Sequence, residues 1–151
     1  MTNITGFFHG GITVKDMDTA LAFYRDGLQL EVAFDVINGA DYLRNVLALP
    51  FSEIRIVYLK IPNSGFVELL EYRGLERQPA ASRPSDYGAG HLCLYVDDID
   101  ALVARMHGLG YKTRSSAAID IVAGPNIGAK VVYLIDPDGY HVELFQKPNK
   151  S

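Results

Sequence analysis

Residues 56–70, IVYLKIPNSGFVELL, are written a second time seventy-five positions later as residues 131–145, VVYLIDPDGYHVELF. Aligned without a gap, the two stretches share seven of fifteen residues: Val57/Val132, Tyr58/Tyr133, Leu59/Leu134, Pro62/Pro137, Val67/Val142, Glu68/Glu143 and Leu69/Leu144. About one match is expected from average residue usage. Each copy reads as a strand, a tight turn containing proline, and a second strand, so each is a β-hairpin carrying one glutamate. A chain with this repeat is constrained to a fold of two like modules.

The repeat extends toward the start of each half. His9 opens HGGITVKDMDTALAFY and His91 opens HLCLYVDDIDALVARM, with matches at Val14/Val96, Asp16/Asp98, Asp18/Asp100 and Ala22/Ala104. Each half therefore has one histidine near its beginning and one glutamate near its end. Packed about a pseudo-twofold axis, two such modules would bring two histidines and two glutamates together.

Periodicity supplies the elements between these landmarks. Residues 7–14 read as a strand with Phe7, His9, Gly11 and Thr13 on one face and Ile12 and Val14 on the other. Asp16 or Asp18 caps a helix with an apolar stripe of Met17, Ala20, Leu21 and Tyr24, which Gly27 stops. Residues 28–34 follow as a strand. The insertion at 35–52, with a short helix over 42–47, reads either as a lid or as a packed connecting helix.

After the first hairpin, residues 74–89 have the Pro, Ala, Ser and Gly content of a linker. The second half repeats the plan. His91, Cys93 and Tyr95 share a strand face, Ile99, Leu102, Val103 and Met106 face the core from a helix, residues 111–115 form a strand, and 116–128 a loop containing a Gly-rich turn. Residues 147–151 read as a frayed tail. The expected fold is α+β: two paired βαβββ modules forming a curved, cup-like mixed sheet with helices outside. The chain, 1–151, is read as one domain, with module one at about 5–73 and module two at about 90–147.

Composition excludes several function classes. With 151 residues and 48% apolar content the chain can bury one sizeable core. A net charge of −4 with interspersed signs gives no reason to expect nucleic acid or an anionic membrane as partner. No apolar run approaches a membrane span, and no basic segment and apolar core mark a leader, so a cytoplasmic location is expected. The single cysteine, Cys93, excludes an internal disulfide and has no basic neighbour in sequence that would mark a nucleophile.

The chemistry resides in the polar strand face. A lone strand histidine or inward glutamate is usually a satisfied structural group. Four such side chains at equivalent positions of two copies are harder to explain by packing, because a buried carboxylate is costly unless paired or coordinated. His9, Glu68, His91 and Glu143 are the expected metal ligands. Two imidazoles and two carboxylates suit Zn, Ni, Co, Mn or Fe as a divalent ion, with ligand distances of about 2.0–2.2 Å. Glu143 is the leading candidate for proton transfer. His141 shares its face and is a second catalytic candidate, although its counterpart in the first copy is Phe66. His107, near a helix end, is read as solvated.

His9 in its GGITVKDMDTALAFYRDGLQLEV context, Glu68 in FVELL, His91 in GHLCLYVDDIDAL and Glu143 in IDPDGYHVELF together resemble the vicinal oxygen chelate superfamily, which includes glyoxalase I, methylmalonyl-CoA epimerase, extradiol dioxygenases and fosfomycin-resistance proteins. The resemblance implies a metal-holding cup, ligands at the four matched positions, and a homodimer. Glyoxalase I commonly has an arginine four residues after the first ligand, where this chain has Thr13. It also continues past the ligand glutamate into a TYNWG-like segment, where this chain has Leu69, Leu70, Glu71, Tyr72 and Arg73. Both departures argue against glutathione.

Epimerases of the superfamily are nearer in FVELLEY and HLCLYVDDIDA. Some carry a base glutamate on the third strand, matched here by Val57, with Glu53 earlier on that strand. Glu143 or His141 would then handle the proton. The resemblance implies a metal-dependent lyase or isomerase acting on a small oxygenated or carbonyl substrate through a metal-stabilised enolate. The alternatives are an Fe(II) extradiol-type dioxygenase, for which a fourth protein ligand at Glu68 removes a coordination position, and a small-molecule binding or resistance protein.

Overall fold

The computed structural model describes residues 3–80 and 83–148, so part of the expected linker and residues 149–151 of the expected tail lie outside the described residues. The chain divides into two compact units, Met1–Gln78 and Pro79–Ser151. The first contains β1 (His9–Thr13), α1 (Met17–Leu21, widening into a π-helical segment, Ala22–Gly27), β2 (Glu31–Asn38), α2 (Asp41–Leu47), β3 (Glu53–Lys60) and β4 (Phe66–Arg73). The second contains β5 (His91–Tyr95), α3 (Ile99–Gly108), β6 (Lys112–Thr113), β7 (Ile119–Asp120), β8 (Lys130–Ile135) and β9 (His141–Gln146).

Both units are built to one plan. The sheet orders are β1-β4-β3-β2 and β5-β9-β8-β6, with β7 also pairing β8. The first strand of each unit runs parallel to the last, β1 with β4 and β5 with β9, and the remaining pairs are antiparallel. Parallel neighbours require a crossover, which the helix and the middle strands supply. This is the expected α+β class with a mixed sheet and one helix packed on each, α1 against β4 and α3 against β6 and β9.

The repeat explains why each sheet has two different faces. Val57, Leu59, Val67 and Leu69 are fully buried, and Val132, Leu134, Val142 and Leu144 are at most 2% exposed. Each such side chain removed from water contributes about 1.5–3 kcal/mol. Because side chains alternate along a strand, burying these eight turns Tyr58, Phe66 and Glu68 to the other face in the first unit, and Tyr133, His141 and Glu143 in the second.

Each helix is tied to its sheet at the N-terminus. The Asp16 carboxylate accepts from Thr19 N at 2.8 Å and the Asp98 carboxylate from Ala101 N at 2.9 Å. A second acceptor arrives from the last strand: Glu71 Oε2 takes Met17 N at 2.6 Å, and Gln146 Oε1 takes Ile99 N at 2.7 Å. Glu71 and Gln146 are one repeat apart, so the cap from strand to helix is part of the duplicated design. Gly65 fixes the parallel pairing in the first unit. A Cβ there would stand 2.1 Å from Phe8 O, and without one Phe66 N reaches that oxygen at 3.0 Å, starting the His9–Phe66 register.

Several boundaries differ from expectation. The first helix ends at Gly27 as expected, its last turns π-helical, but Gln29, at φ +60°, turns the chain into a strand that begins at Glu31 rather than at residue 28. The strand expected over 111–115 is short, because Thr113 Oγ1 donates to Ser115 O and Ser115 Oγ to Ala117 O, closing the chain into turns. The expected 116–128 loop contains β7. In the 35–52 insertion, α2 behaves as a connecting helix: Leu43 packs with Phe51, Ile54 and Tyr72 over the lower part of the sheet. Among the described residues no helix is long and apolar enough to cross a membrane.

Candidate active site

In the first unit, His9 on β1 and Glu68 on β4 meet across the parallel pair. His9 Nε2 lies 3.0 Å from Glu68 Oε2, with the carboxylate largely covered and the imidazole about one-third exposed. Gly11 pairs with Glu68, and a Cβ there would be 3.3 Å from Glu68 Oε2, so the glycine leaves the carboxylate its room. Tyr58 on β3 pairs with Glu68 and puts its hydroxyl 3.2 Å from His9 Nδ1. Burial first, then hydrogen bonding to Glu68, pushes the Tyr58 phenol up to about 12. The hydroxyl therefore stays protonated at neutral pH.

The second unit repeats the couple. His91 Nε2 lies 3.0 Å from Glu143 Oε2, and the Tyr133 hydroxyl donates to Glu143 Oε2 at 3.2 Å while standing 3.3 Å from His91 Nε2. Burial and the Glu143 charge push the Tyr133 phenol up as well. Cys93 takes the place of Gly11, paired with Glu143, and burial raises its thiol to about 11, with Glu143 adding to the effect. Cys93 is thus a thiol, not a thiolate nucleophile.

The surroundings of the two couples differ. In the first unit Phe34 stacks on Tyr58 at 4.5 Å, Phe66 meets Tyr58 edge-on at 5.7 Å, and Phe8 packs against His9 at 4.7 Å. In the second unit His141 takes the place of Phe66, opposite His91 in the β5–β9 register. It is 8% exposed, and Arg114 Nη1 is 3.4 Å from its Nε2. Burial, followed by the Arg114 charge and the His91 charge, lowers the His141 pKa, with Asp136 opposing, so the ring is neutral at pH 7.

The expected ligand residues thus come in twos, one His–Glu couple per unit. Among the described residues no set of three or more His, Cys, Asp or Glu groups forms a metal-holding cluster. Within each couple the donor chemistry fits a divalent ion. Two ligands at right angles, each about 2.1 Å from an ion, stand about 3.0 Å apart. For His9 to ligate through Nε2, its N–H must sit on Nδ1, where the Tyr58 oxygen is placed to accept it.

Val57, the match for the base-bearing strand position of some epimerases, is fully buried on the helix side, and the Glu53 carboxylate is held by Arg73 at 2.8 Å. No glutamate of β3 therefore reaches the couple. His107, expected to be solvated, places Nε2 2.9 Å from Thr113 Oγ1 and pins the end of α3 to β6. Tyr58 and Tyr133 were overlooked in sequence, although both lie within the repeat and directly opposite its glutamates. Arg114 and Phe34 have no partner in the repeat, and nothing short of the strand register reveals them.

The profile of the Glyoxalase/Bleomycin resistance protein/Dioxygenase superfamily matches residues 6–144. A 2-epi-5-epi-valiolone epimerase from Actinomyces sp is 28% identical over 143 residues, spanning 93% of this chain and 78% of the epimerase. A probable lactoylglutathione lyase from Synechocystis sp. is 28% identical over 145 residues, spanning 95% and 96% of the two chains. Among solved structures, a glyoxalase family protein from Bacillus cereus superposes with a TM-score of 0.80 at 18% identity, covering 98% of this chain and 97% of that one.

Proposed function

Because the chain belongs to the Glyoxalase/Bleomycin resistance protein/Dioxygenase superfamily, we propose that it is a metal-dependent lyase or isomerase acting on a small oxygenated or carbonyl substrate, with His9, Glu68, His91 and Glu143 as the ligands and a homodimer as the working form. The observation that carries this reading is the repeated couple: in both units an imidazole Nε2 and a carboxylate oxygen stand 3.0 Å apart. The epimerase and the lyase among the relatives are enzymes by name, which supports an enzymatic reading over a binding protein.

A divalent ion bound there supplies Lewis-acid polarisation of a substrate carbonyl. The protein's own groups do the rest. Tyr58 and Tyr133 orient the imidazole and carboxylate groups. Glu143, with its side chain 16% exposed and hydrogen bonded by Tyr133, takes the proton from the carbon next to the carbonyl and returns it. The rings of Phe8, Phe34 and Phe66 flank the first couple.

The test is metal analysis of the purified protein, followed by incubation of the loaded protein in D₂O with small 2-oxo and 2-hydroxycarbonyl compounds. Deuterium appearing next to the carbonyl is the expected result. Oxygen consumption with a catechol, and no deuterium exchange, would overturn it in favour of a dioxygenase.

A further inference from the structure

Both sheets keep a His–Glu–Tyr triplet, with the tyrosine hydroxyl at Nδ1 of His9 and at Nε2 of His91, and change the side chains around it in one direction. Beside Tyr58 stand Phe34, on the neighbouring strand, and Phe66, on β4. In the second unit the equivalent positions are Arg114 and His141. The register fixes this placement. Thr113 pairs with Leu134, and Arg114 N donates to Tyr133 O at 2.9 Å, so Arg114, Tyr133, Glu143 and Cys93 form one row across four strands on the face that carries the couple. Two stacking aromatics have become a guanidinium and an imidazole.

Arg114 also differs in its partners from six other arginines. Arg25, Arg44, Arg55, Arg73 and Arg83 each bind a carboxylate. Arg77 donates to the carbonyls of Val14 and Lys15. The Arg114 side chain has no carboxylate partner among the described residues, and its one hydrogen-bond neighbour is His141 Nε2 at 3.4 Å. Since a guanidinium only donates, that imidazole nitrogen is the acceptor, and most of the Arg114 donor fork remains open. An exposed cation in the row of Glu143, with donors to spare, suits a planar or tetrahedral oxyanion.

We propose that Arg114, oriented by the His141 imidazole, forms an oxyanion-binding corner beside the His91–Glu143 couple, which takes a carboxylate or phosphate group of the substrate. Assigning that group to a substrate rests on the enzymatic reading above. The corner sets specificity: an anionic carbonyl compound is anchored by its oxyanion at Arg114, while its reacting carbon lies toward Glu143.

The experiment is an NMR titration of the full chain, treated with chelator, using inorganic phosphate and malonate as probes. The Arg114 Nε–H and His141 ring resonances are followed in the wild-type protein, in Arg114→Gln and in His141→Phe, which restores the residue of the first unit. Saturable shifts at both groups are expected, with affinity at least about tenfold weaker in Arg114→Gln. The tighter of the two probes identifies the oxyanion. Equal affinity in wild type and Arg114→Gln, or shifts confined to surface lysines, would overturn the proposal. Metal uptake measured on the same samples separates this result from the enzymatic reading, because an intact metal site with no anion binding removes only the corner, and anion binding without metal uptake removes only the enzyme.

Discussion

Glu143 lies between Cys93 and Tyr133 in its row of the sheet, and its carboxylate meets an imidazole and a phenol within 3.2 Å. Glu143→Gln keeps the size and one ligating oxygen but removes the proton acceptor. The expected result is a fall in kcat of about 10²–10⁴-fold with metal content retained, checked by steady-state kinetics alongside metal analysis. At this scale the sequence was half legible. The glutamates and histidines stood out because they are rare on a buried-type strand and recur at matching positions. Tyr58 and Tyr133 did not, since a strand tyrosine is ordinarily core, and only the pairing with Glu68 and Glu143 gives them their contact with the couple.

The helices and strands carry their own tests. Glu71 caps α1 and also binds Arg73 Nε at 2.7 Å, and Gln146 caps α3. Glu71→Ala and Gln146→Ala should each lower stability by about 1–2 kcal/mol in urea denaturation, because each leaves a helix N–H without its acceptor. The edge of the first sheet is pinned by Arg55, which binds Asp35 at 2.7 Å and Asp18 at 2.8 Å. Hydrogen bonding from Arg55 holds the Asp35 carboxyl below its ordinary value of 3.8, against the opposing effect of burial. A carboxyl depressed in the folded state stabilises fully above the unfolded value and loses that contribution as pH falls through the folded one. Asp35→Asn should therefore be less stable than wild type at pH 7, by up to about 1 kcal/mol given solvent screening, and the gap should close as pH falls below 3.8 and through the depressed folded value. A gap independent of pH in urea melts would contradict this. Element boundaries were less legible than element types. The late start of β2, the shortened β6 and the added β7 depend on local turns and hydrogen bonds that leave no periodic mark.

At the scale of the whole molecule, the duplication is the organising fact. It was legible from one repeated hairpin, because the same alternation that buries Val57 and Val132 turns Tyr58 and Tyr133 to the opposite face, beside Glu68 and Glu143. It also predicted the βαβββ succession of elements in each unit, to which the structure adds α2 in the first and β7 in the second. What it could not supply was the divergence between copies, Phe34 and Phe66 against Arg114 and His141, since symmetry is silent where the halves differ. In the proposed function these flanks set specificity and the repeated triplets supply reactivity.

The central proposal is that His9, Glu68, His91 and Glu143 act as the metal ligands. It is tested most directly by equilibrium metal binding to the full-length protein and to His9→Ala, Glu68→Ala, His91→Ala and Glu143→Ala, each checked for folding by circular dichroism. The account predicts about one ion per chain in the wild type and a loss of affinity of at least about tenfold in every variant. Wild-type metal affinity in both variants of either unit would contradict it.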